Sequence, residues 1–265
     1  MVTLTSALRD EYQTLFDTCD ISQERQADVE NILARALQNR ERYEAVGDDT
    51  GVPWYVIAVI HSLESSQNFT KHLHNGDSLQ KRTVQVPAGR PKYGNPPFTW
   101  EESAIDALTM RKLGQVTDWT VPGMLFQLEG YNGFGYRIRN TGIFTPYLWS
   151  FSNHYTKGKF TSDGVFSPTA VSKQCGAAVL LRRLSEKGII EIPLTVEPPD
   201  ENEAEELGAL VRFSGNKKSP EAEQLQRFLN RFPGIFVKVD GVPGEKTSDA
   251  FKKVTGHFLI GDPRA

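Results

Sequence analysis

The sequence has few cysteines, no long apolar run and no excess of basic residues. Two cysteines in 265 residues, Cys19 and Cys175, are too few for a disulfide framework, and neither has the spacing of a thiolate metal site. The balance of 30 Lys and Arg against 33 Asp and Glu lacks the basic excess of a dedicated duplex nucleic-acid binder. No apolar run approaches the roughly 20 residues that span a bilayer. We therefore expect neither a nucleic-acid partner nor membrane insertion.

The first residues also lack a basic segment followed by an apolar one, so no Sec-type signal peptide is predicted. We expect synthesis in the cytoplasm, so that a substrate outside would have to be reached by accessory export or after release. The composition itself is that of a globular protein, with 38% apolar and 24% charged residues. A length of 265 residues allows one large domain or two ordinary ones.

Apolar residues at helical spacing predict a mainly α-helical chain. Two amphipathic helices are predicted within 8–19 and 29–37, followed by a break at 47–51. The segment 56–63 is apolar on nearly every side, which predicts a helix surrounded by the rest of its domain. Further helices are predicted over 99–113, where Thr99 and Glu102 form a capping box, over 122–128 and over 169–187.

A long loop, 68–97, separates the buried helix from the next one. Its short alternating stretch 83–86 predicts one strand of a small hairpin. The predicted fold class is therefore mainly α, an α+β fold with a small hairpin. A loop of this length in a compact domain is usually functional.

The composition changes at Pro193, where an acidic, proline-containing run with little to bury begins. Such a run is typical of a linker. The sequence thus predicts a first domain over 1–190, a linker over 191–216 and a small module over 217–265. A unit of about 50 residues is small but can fold alone.

Glu64 lies at the end of the predicted buried helix. Counting back by helical steps gives Ile60, Ile57 and Val56, so its carboxyl group is expected on an apolar face. Burial disfavours the carboxylate anion, raises the pKa and keeps a proton available near neutral pH. A general acid that protonates a glycosidic oxygen needs this property. On this pattern alone, a capped or salt-bridged glutamate at a helix end is an equal alternative.

Three segments resemble motifs of the lysozyme-like superfamily. Segment 61–69 resembles the Glu-Ser motif of goose-type lysozymes and lytic transglycosylases, which place the catalytic glutamate at the end of a buried helix. Segment 131–136 resembles the later Tyr-Asn-Gly motif, whose Tyr and Asn line the sugar-binding cleft, and segment 147–164 is similar to part of bacterial and phage endolysins. The resemblance covers about 52–188 and implies a lysozyme-like catalytic domain. The Gly-Leu-Met-Gln motif of transglycosylases is absent, and residues 84–86 stand in its place.

The resemblance implies a muramidase that cuts the β-1,4 bond between N-acetylmuramic acid and N-acetylglucosamine, with Glu64 as general acid. Asp77, in the long loop, is the candidate second carboxylate; its alternative is an ordinary turn aspartate. Sugar rings stack on aromatic side chains and their hydroxyls need polar partners. The predicted substrate-binding residues are His61, Gln85, Tyr131, Asn132, Gly133, Tyr136, Tyr147, Trp149, Asn153, Tyr155 and Lys157. The alternative is that most of these aromatic residues belong to the core.

Near the C-terminus, segments 223–229, 239–247 and 250–251 resemble the peptidoglycan-binding domain type 1, a three-helix module. In that family an Asp-Gly-x-x-Gly-x-x-Thr run makes the turn into the last helix. The matching residues here are Asp240, Gly241, Gly244 and Thr247. The implied function is to hold the enzyme on a polymeric substrate, which raises the effective concentration of cleavable bonds.

Other functions remain open on the sequence. They are a lytic transglycosylase, which needs no second carboxylate, a chitinase or chitosanase, a zinc amidase or peptidase, and a wall-binding protein without catalysis. The zinc hypothesis depends on His61-x-x-Glu64 and His72-x-His74, but the His-Glu-x-x-His spacing of zinc enzymes is missing. We therefore expect no metal ligands and no cofactor, and a monomer whose partner is the glycan strand of peptidoglycan.

Overall fold

The structure is a computed structural model that describes residues 2–162, 164–193, 200–232 and 234–265. This part of the chain is mainly helical, with twelve α-helices and one small antiparallel hairpin of two strands. The helices are α1 (Ser6–Asp17), α2 (Gln26–Gln38), α3 (Arg40–Thr50), α4 (Trp54–Ser65), α5 (Trp100–Met110), α6 (Val121–Asn132), α7 (Gly135–Ile138), α8 (Pro146–Trp149), α9 (Ala177–Glu186), α10 (Glu201–Ala209), α11 (Pro220–Leu229) and α12 (Glu245–Thr255). The strands are β1 (Lys159–Ser162) and β2 (Val165–Ser167).

The chain forms two compact units. The first consists mainly of Ile21–Trp119 and Gly123–Leu181, and the second of Thr5–Asp20, Thr120–Pro122 and Arg182–Ala265. Helix α1 thus belongs with the C-terminal part of the chain and not with the first domain predicted over 1–190. None of the helices in the described ranges has the length and apolar composition that crossing a membrane requires.

Helix α4 is the central helix of the first unit, as the sequence predicts. Every residue from Tyr55 to Leu63 is buried. The neighbouring helix α3 was not predicted. It continues through most of the break expected at 47–51 and ends only at Gly51, which has a left-handed backbone. Glycine is required at position 47 of α3, because a Cβ there would lie only 2.9 Å from the Val52 carbonyl oxygen. The short turn between α3 and α4 is therefore tightly packed.

The capping box at the start of α5 is confirmed. The Thr99 hydroxyl accepts a hydrogen bond from the Glu102 amide at 3.1 Å, and the Glu102 carboxylate accepts one from the Thr99 amide at 2.8 Å. Two otherwise unpaired backbone groups are satisfied in this way.

The hairpin lies at β1 and β2, so its predicted position at 83–86 is wrong. The amides of Val84 and Gln85 donate to the Asp77 carboxylate instead of to a neighbouring strand. The alternation of Val84 and Val86 does not mark a half-buried strand either, because their side chains are 63% and 90% exposed. The real hairpin pairs Phe160 with Phe166.

Helix α9 begins at Ala177, later than the predicted start near residue 169. The preceding residues are held by other contacts: the Ser172 amide donates to the Tyr155 hydroxyl at 3.0 Å. At Gly176 a Cβ would lie 2.2 Å from the Leu148 carbonyl oxygen. Close packing against the chain around Leu148 therefore replaces the first turns of the predicted helix.

In the second unit, α10, α11 and α12 surround an apolar core that includes Ala204, Leu225, Leu229 and Phe251. Helix α10 lies inside the predicted linker 191–216, of which 194–199 fall outside the described residues. The Asp200 carboxylate caps α10 by accepting from the Asn202 amide at 3.0 Å. This acidic segment is therefore a helix with a buried face, and the unit is larger than the predicted module over 217–265.

Candidate active site

Glu64 occupies the last turn of α4, where the buried helix ends. Tyr147 donates a hydrogen bond to Glu64 Oε1 at 2.9 Å. Burial raises the pKa of Glu64 from 4.5 to about 7, although the Tyr147 hydroxyl and the positive charge of Arg111 both favour the anion. A carboxyl group with this pKa still carries its proton in about half of the molecules at neutral pH.

Helix α8, a single turn, holds Tyr147 in place. Pro146 occupies its first turn, and the Thr145 hydroxyl accepts from the Tyr147 amide at 3.3 Å. Leu148 and Trp149 are fully buried and anchor the turn in the core. Burial, and then the Glu64 charge, raises the pKa of the Tyr147 hydroxyl, which therefore stays a hydrogen-bond donor.

Tyr131, near the end of α6, joins three parts of the site. Its hydroxyl donates to the Leu73 carbonyl at 3.2 Å, in the loop that follows α4. The Arg111 guanidinium lies 4.8 Å from the centre of the Tyr131 ring. Tyr131 is itself buried, so it positions the loop after Glu64 and is not an open sugar platform.

The loop that carries Asp77 passes directly against the end of α4. Gly76 has a φ of +76°, and a Cβ there would lie 3.0 Å from the Glu64 carbonyl oxygen. Asp77 accepts backbone hydrogen bonds from Val84 at 2.8 Å and from Gln85 at 3.0 Å, and these donors lower the pKa of its carboxyl group. Asp77 is therefore an anion at neutral pH, in the same loop as Gln85 and one residue after Gly76, which approaches the Glu64 carbonyl.

A cleft of about 420 Å³ opens beside Tyr147. Tyr136 joins its two walls, because the Tyr136 hydroxyl accepts from the Phe160 amide of β1 at 3.1 Å. The Gln174 side chain donates to the carbonyl of Leu63, which precedes Glu64. The described lining is Asn132, Gly133, Gly135, Tyr136, Arg139, Pro146, Tyr147, Lys159, Phe160, Thr161, Ser162, Gly164, Ser172 and Gln174. A second cavity of about 340 Å³ shares Gln174 and includes Ser62 and Ser66 at the end of α4.

The cleft contains four of the predicted substrate-binding residues and several that sequence reasoning missed. Asn132, Gly133, Tyr136 and Tyr147 line it, as do Arg139, Lys159 and Gln174, which were not predicted. Arg139 and Lys159 come together because the hairpin packs against α7, and Gln174 is held by the Leu63 carbonyl; both are contacts between distant segments that no local pattern shows. The exposed residues Asn153 and Lys157 are not among its described lining.

Four of the predicted substrate-binding residues are buried and are not among the described lining of the cleft: His61, Tyr131, Trp149 and Tyr155. His61 is fully buried among aromatic rings, and its Nδ1 lies 3.0 Å from the Tyr43 hydroxyl. Burial lowers the pKa of His61 to about 4, so the ring is neutral. Trp149 is fully buried as well, and the Tyr155 hydroxyl accepts a hydrogen bond from the Ser172 amide. These side chains support the fold around the site.

The predicted residues of the C-terminal module form a turn around Gln226. The buried Gln226 amide donates to Asp240 Oδ1 and to the Thr247 hydroxyl, both at 3.1 Å. Its carbonyl oxygen accepts from the amides of Asp240 at 2.9 Å and Gly241 at 2.8 Å. Gly244 caps α12. This arrangement builds the turn into α12, so these residues shape the module.

The histidines of the long loop are engaged in hydrogen bonds. His72 Nδ1 lies 2.8 Å from the Ser103 hydroxyl, and His74 Nε2 lies 2.8 Å from Asp106 Oδ2. Within the described ranges no group of three or more His, Cys, Asp or Glu side chains is arranged to hold a metal ion. Comparison with known proteins finds no family model, no curated protein and no solved structure that matches the chain.

Proposed function

We propose that the protein is a muramidase, a peptidoglycan hydrolase that cleaves the β-1,4 bond between N-acetylmuramic acid and N-acetylglucosamine. The observation that carries the proposal is the raised pKa of Glu64, about 7, together with its hydrogen bond to Tyr147, which lines an open cleft. Glu64 itself is not among the described lining of that cleft. Such a carboxyl group is a proton donor near neutral pH. The resemblance of 52–188 to the lysozyme-like superfamily supports the same assignment.

Glu64 is the proposed general acid. Because the Tyr147 hydroxyl donates to Oε1, the acidic proton belongs on Oε2, from which it passes to the glycosidic oxygen. As the bond to the leaving sugar breaks, positive charge develops at the anomeric carbon. Asp77 is the candidate anion that stabilises this charge or takes the proton of the attacking water, since its pKa is held low by two backbone donors.

The cleft has the mixed lining that a glycan needs. Tyr136 and Tyr147 reach the cleft with only 7% and 9% of their surface exposed, while Asn132 and Gln174 offer hydrogen-bonding groups for hydroxyls and acetamido groups. The adjoining cavity that shares Gln174 extends the open surface on the other side of the α4 end. A polymeric glycan strand in the cell wall is therefore the proposed partner. The module over 217–265 is proposed to hold the enzyme, acting as a monomer, on that polymer.

The test is digestion of purified peptidoglycan, with mass spectrometry of the soluble products. The wild type should release fragments ending in reducing N-acetylmuramic acid. Glu64→Gln should lose at least about two orders of magnitude in rate, the contribution of a general acid. Glu44→Gln is the control, because Glu44 forms an exposed salt bridge with Arg40 on α3. Near-full activity of Glu64→Gln would refute the proposal.

A lytic transglycosylase is the second candidate, and one observation favours it. Asp77 Oδ2 is already engaged by two backbone amides, which is also the arrangement of a carboxylate that only shapes its loop. A transglycosylase forms a 1,6-anhydro end by attack of the sugar's own hydroxyl and needs no second carboxylate. Products with 1,6-anhydro ends in the same mass spectra would show that the protein is a transglycosylase and not a hydrolase.

A further inference from the structure

Two cationic side chains, Arg139 and Lys159, line the cleft at its hairpin end. The described lining of this cavity includes no carboxylate. Neither cation forms an ion pair with any residue in the ranges that the structure describes, and Asp163 is outside those ranges. The hairpin end of the cleft therefore has positive charge without a neutralising partner among the described side chains.

The Arg139 guanidinium is held along the hairpin. Its Nη1 donates to the Gly164 carbonyl at 2.9 Å, and its Cζ lies 5.2 Å from the centre of the Phe160 ring. These contacts orient the group and leave other N–H donors for a ligand. Arg137, two residues earlier, is different: it pairs with the buried Glu129 at 2.9 Å. Of the two arginines, Arg139 is the one available to the cleft.

Lys159 is the first residue of β1, and the strand beneath it is fixed. The next residue, Phe160, donates its amide to Tyr136 and packs its ring against the Tyr136 ring at 4.9 Å. Lys159 itself pairs in register with Ser167 of β2. Lys159 thus stands on a hairpin that Tyr136 of α7 holds through the Phe160 amide, and Arg139, directly after α7, reaches the same hairpin through the Gly164 carbonyl.

We propose that Arg139 and Lys159 form a subsite for a carboxylate carried by the glycan. A concave site with charge of one sign favours a ligand of the opposite sign, and a guanidinium suits the two oxygens of a carboxylate. This inference rests on the proposed function and makes it more specific. Muramic acid carries a carboxylate, either on its lactyl group or in the peptide attached there, whereas chitin is uncharged. The subsite selects carboxylate-bearing strands over neutral ones.

The test measures binding in the Glu64→Gln background, so that no ligand is consumed. Three glycan oligomers of equal length are compared: peptide-bearing muramyl oligomers, peptide-free muramyl oligomers with the lactyl carboxylate, and chitin oligomers. Arg139→Gln combined with Lys159→Met should weaken binding of at least one muramyl ligand about three- to tenfold and leave chitin binding unchanged. Ionic strength of about 1 M should remove most of the difference. Lys92→Met, an exposed lysine outside the lining, is the control.

The outcomes identify the source of the carboxylate or reject the subsite. A loss confined to the peptide-bearing oligomer indicates a carboxylate of the peptide, and a loss confined to the peptide-free oligomer indicates the lactyl group. Three outcomes would overturn the inference. They are unchanged binding of all three ligands, an equal loss on all three including chitin, and no binding of a muramyl ligand by the Glu64→Gln parent variant. Unchanged chitin binding also shows that the double variant is folded.

Failure of this inference is distinguishable from failure of the proposed function. If the wild type releases no glycan fragments but the binding difference persists, the hydrolase assignment fails and the carboxylate subsite stands. If fragments are released and the double variant binds like its parent, only the subsite is rejected.

Discussion

At the scale of single residues, the pKa of Glu64 is decided by competition between burial and two groups that favour the anion. Tyr147 donates to the carboxylate, and Arg111 adds positive charge, yet burial is the largest effect and the pKa rises to about 7. The folded state therefore binds this proton more tightly than the unfolded chain does. Stability must decrease as the pH rises from the unfolded pKa, 4.5, through the folded value.

We expect Glu64→Gln to be more stable than the wild type above neutral pH. The shift from 4.5 to about 7 corresponds to a penalty of up to about 3 kcal/mol for the charged wild type. At about pH 4.5 the two proteins should have similar free energies of unfolding, because both side chains are then largely neutral in the folded state. Urea denaturation of both at about pH 4.5 and about pH 8 measures the difference. Equal stability at both pH values would contradict the raised pKa.

Residue-scale features were predictable only where local periodicity determines them. The position of Glu64 at the end of a buried helix follows from the apolar residues one and two turns earlier. The burial of His61 did not follow, because its cover comes from Phe69 and Trp100, whose rings lie 4.6 Å from the His61 ring. Trp100 is far along the chain, and no helical pattern within α4 shows which side chains will pack against it.

At the scale of elements, the site depends on a loop that approaches the end of α4. Asp77 and Gln85 share this loop, and Gly76 is the residue that touches the helix end. The alternating pattern at 83–86 suggested a strand, but the amides of Val84 and Gln85 donate hydrogen bonds to the Asp77 carboxylate. A side-chain carboxylate has thus replaced strand pairing, which explains both the wrong position of the predicted hairpin and the low pKa of Asp77.

We expect Gly76→Ala to be more harmful than a matched change at Gly89. Both glycines have a left-handed backbone, with φ of +76° and +74°, so alanine costs about 1 kcal/mol at each from the backbone alone. Only at Gly76 would the new Cβ also contact the Glu64 carbonyl oxygen, at 3.0 Å, whereas nothing lies within 4 Å at Gly89. Gly76→Ala should therefore show the larger loss of unfolding free energy and a lower rate of glycan release. Equal effects of the two substitutions would show that this contact does not matter.

At the scale of the whole molecule, the described part of the acidic run, from residue 200 onward, forms helix α10 and not an extended linker. Glutamate-rich sequence with few apolar residues is typical of a linker, yet two small residues, Ala204 and Gly208, face the core of the second unit. The sequence pattern did not reveal this face because large apolar side chains normally mark a buried stripe. Here the large side chain is Phe251 of α12, whose ring packs directly against Gly208 of α10, where there is no side chain.

The sign of the Gly208→Ala effect tests whether α10 belongs to this unit. In a solvated linker helix, alanine would stabilise the protein by about 0.5–1 kcal/mol relative to glycine. In the packed arrangement a Cβ at Gly208 would lie 2.2 Å from the Phe251 ring, so we expect a loss of about 1–3 kcal/mol. Thermal and urea unfolding of the intact chain measure the change. Gly215→Ala is the control, since no atom lies within 4 Å of a Cβ at that position. Stabilisation by Gly208→Ala would mean that α10 does not pack on α12 and that the linker interpretation was right.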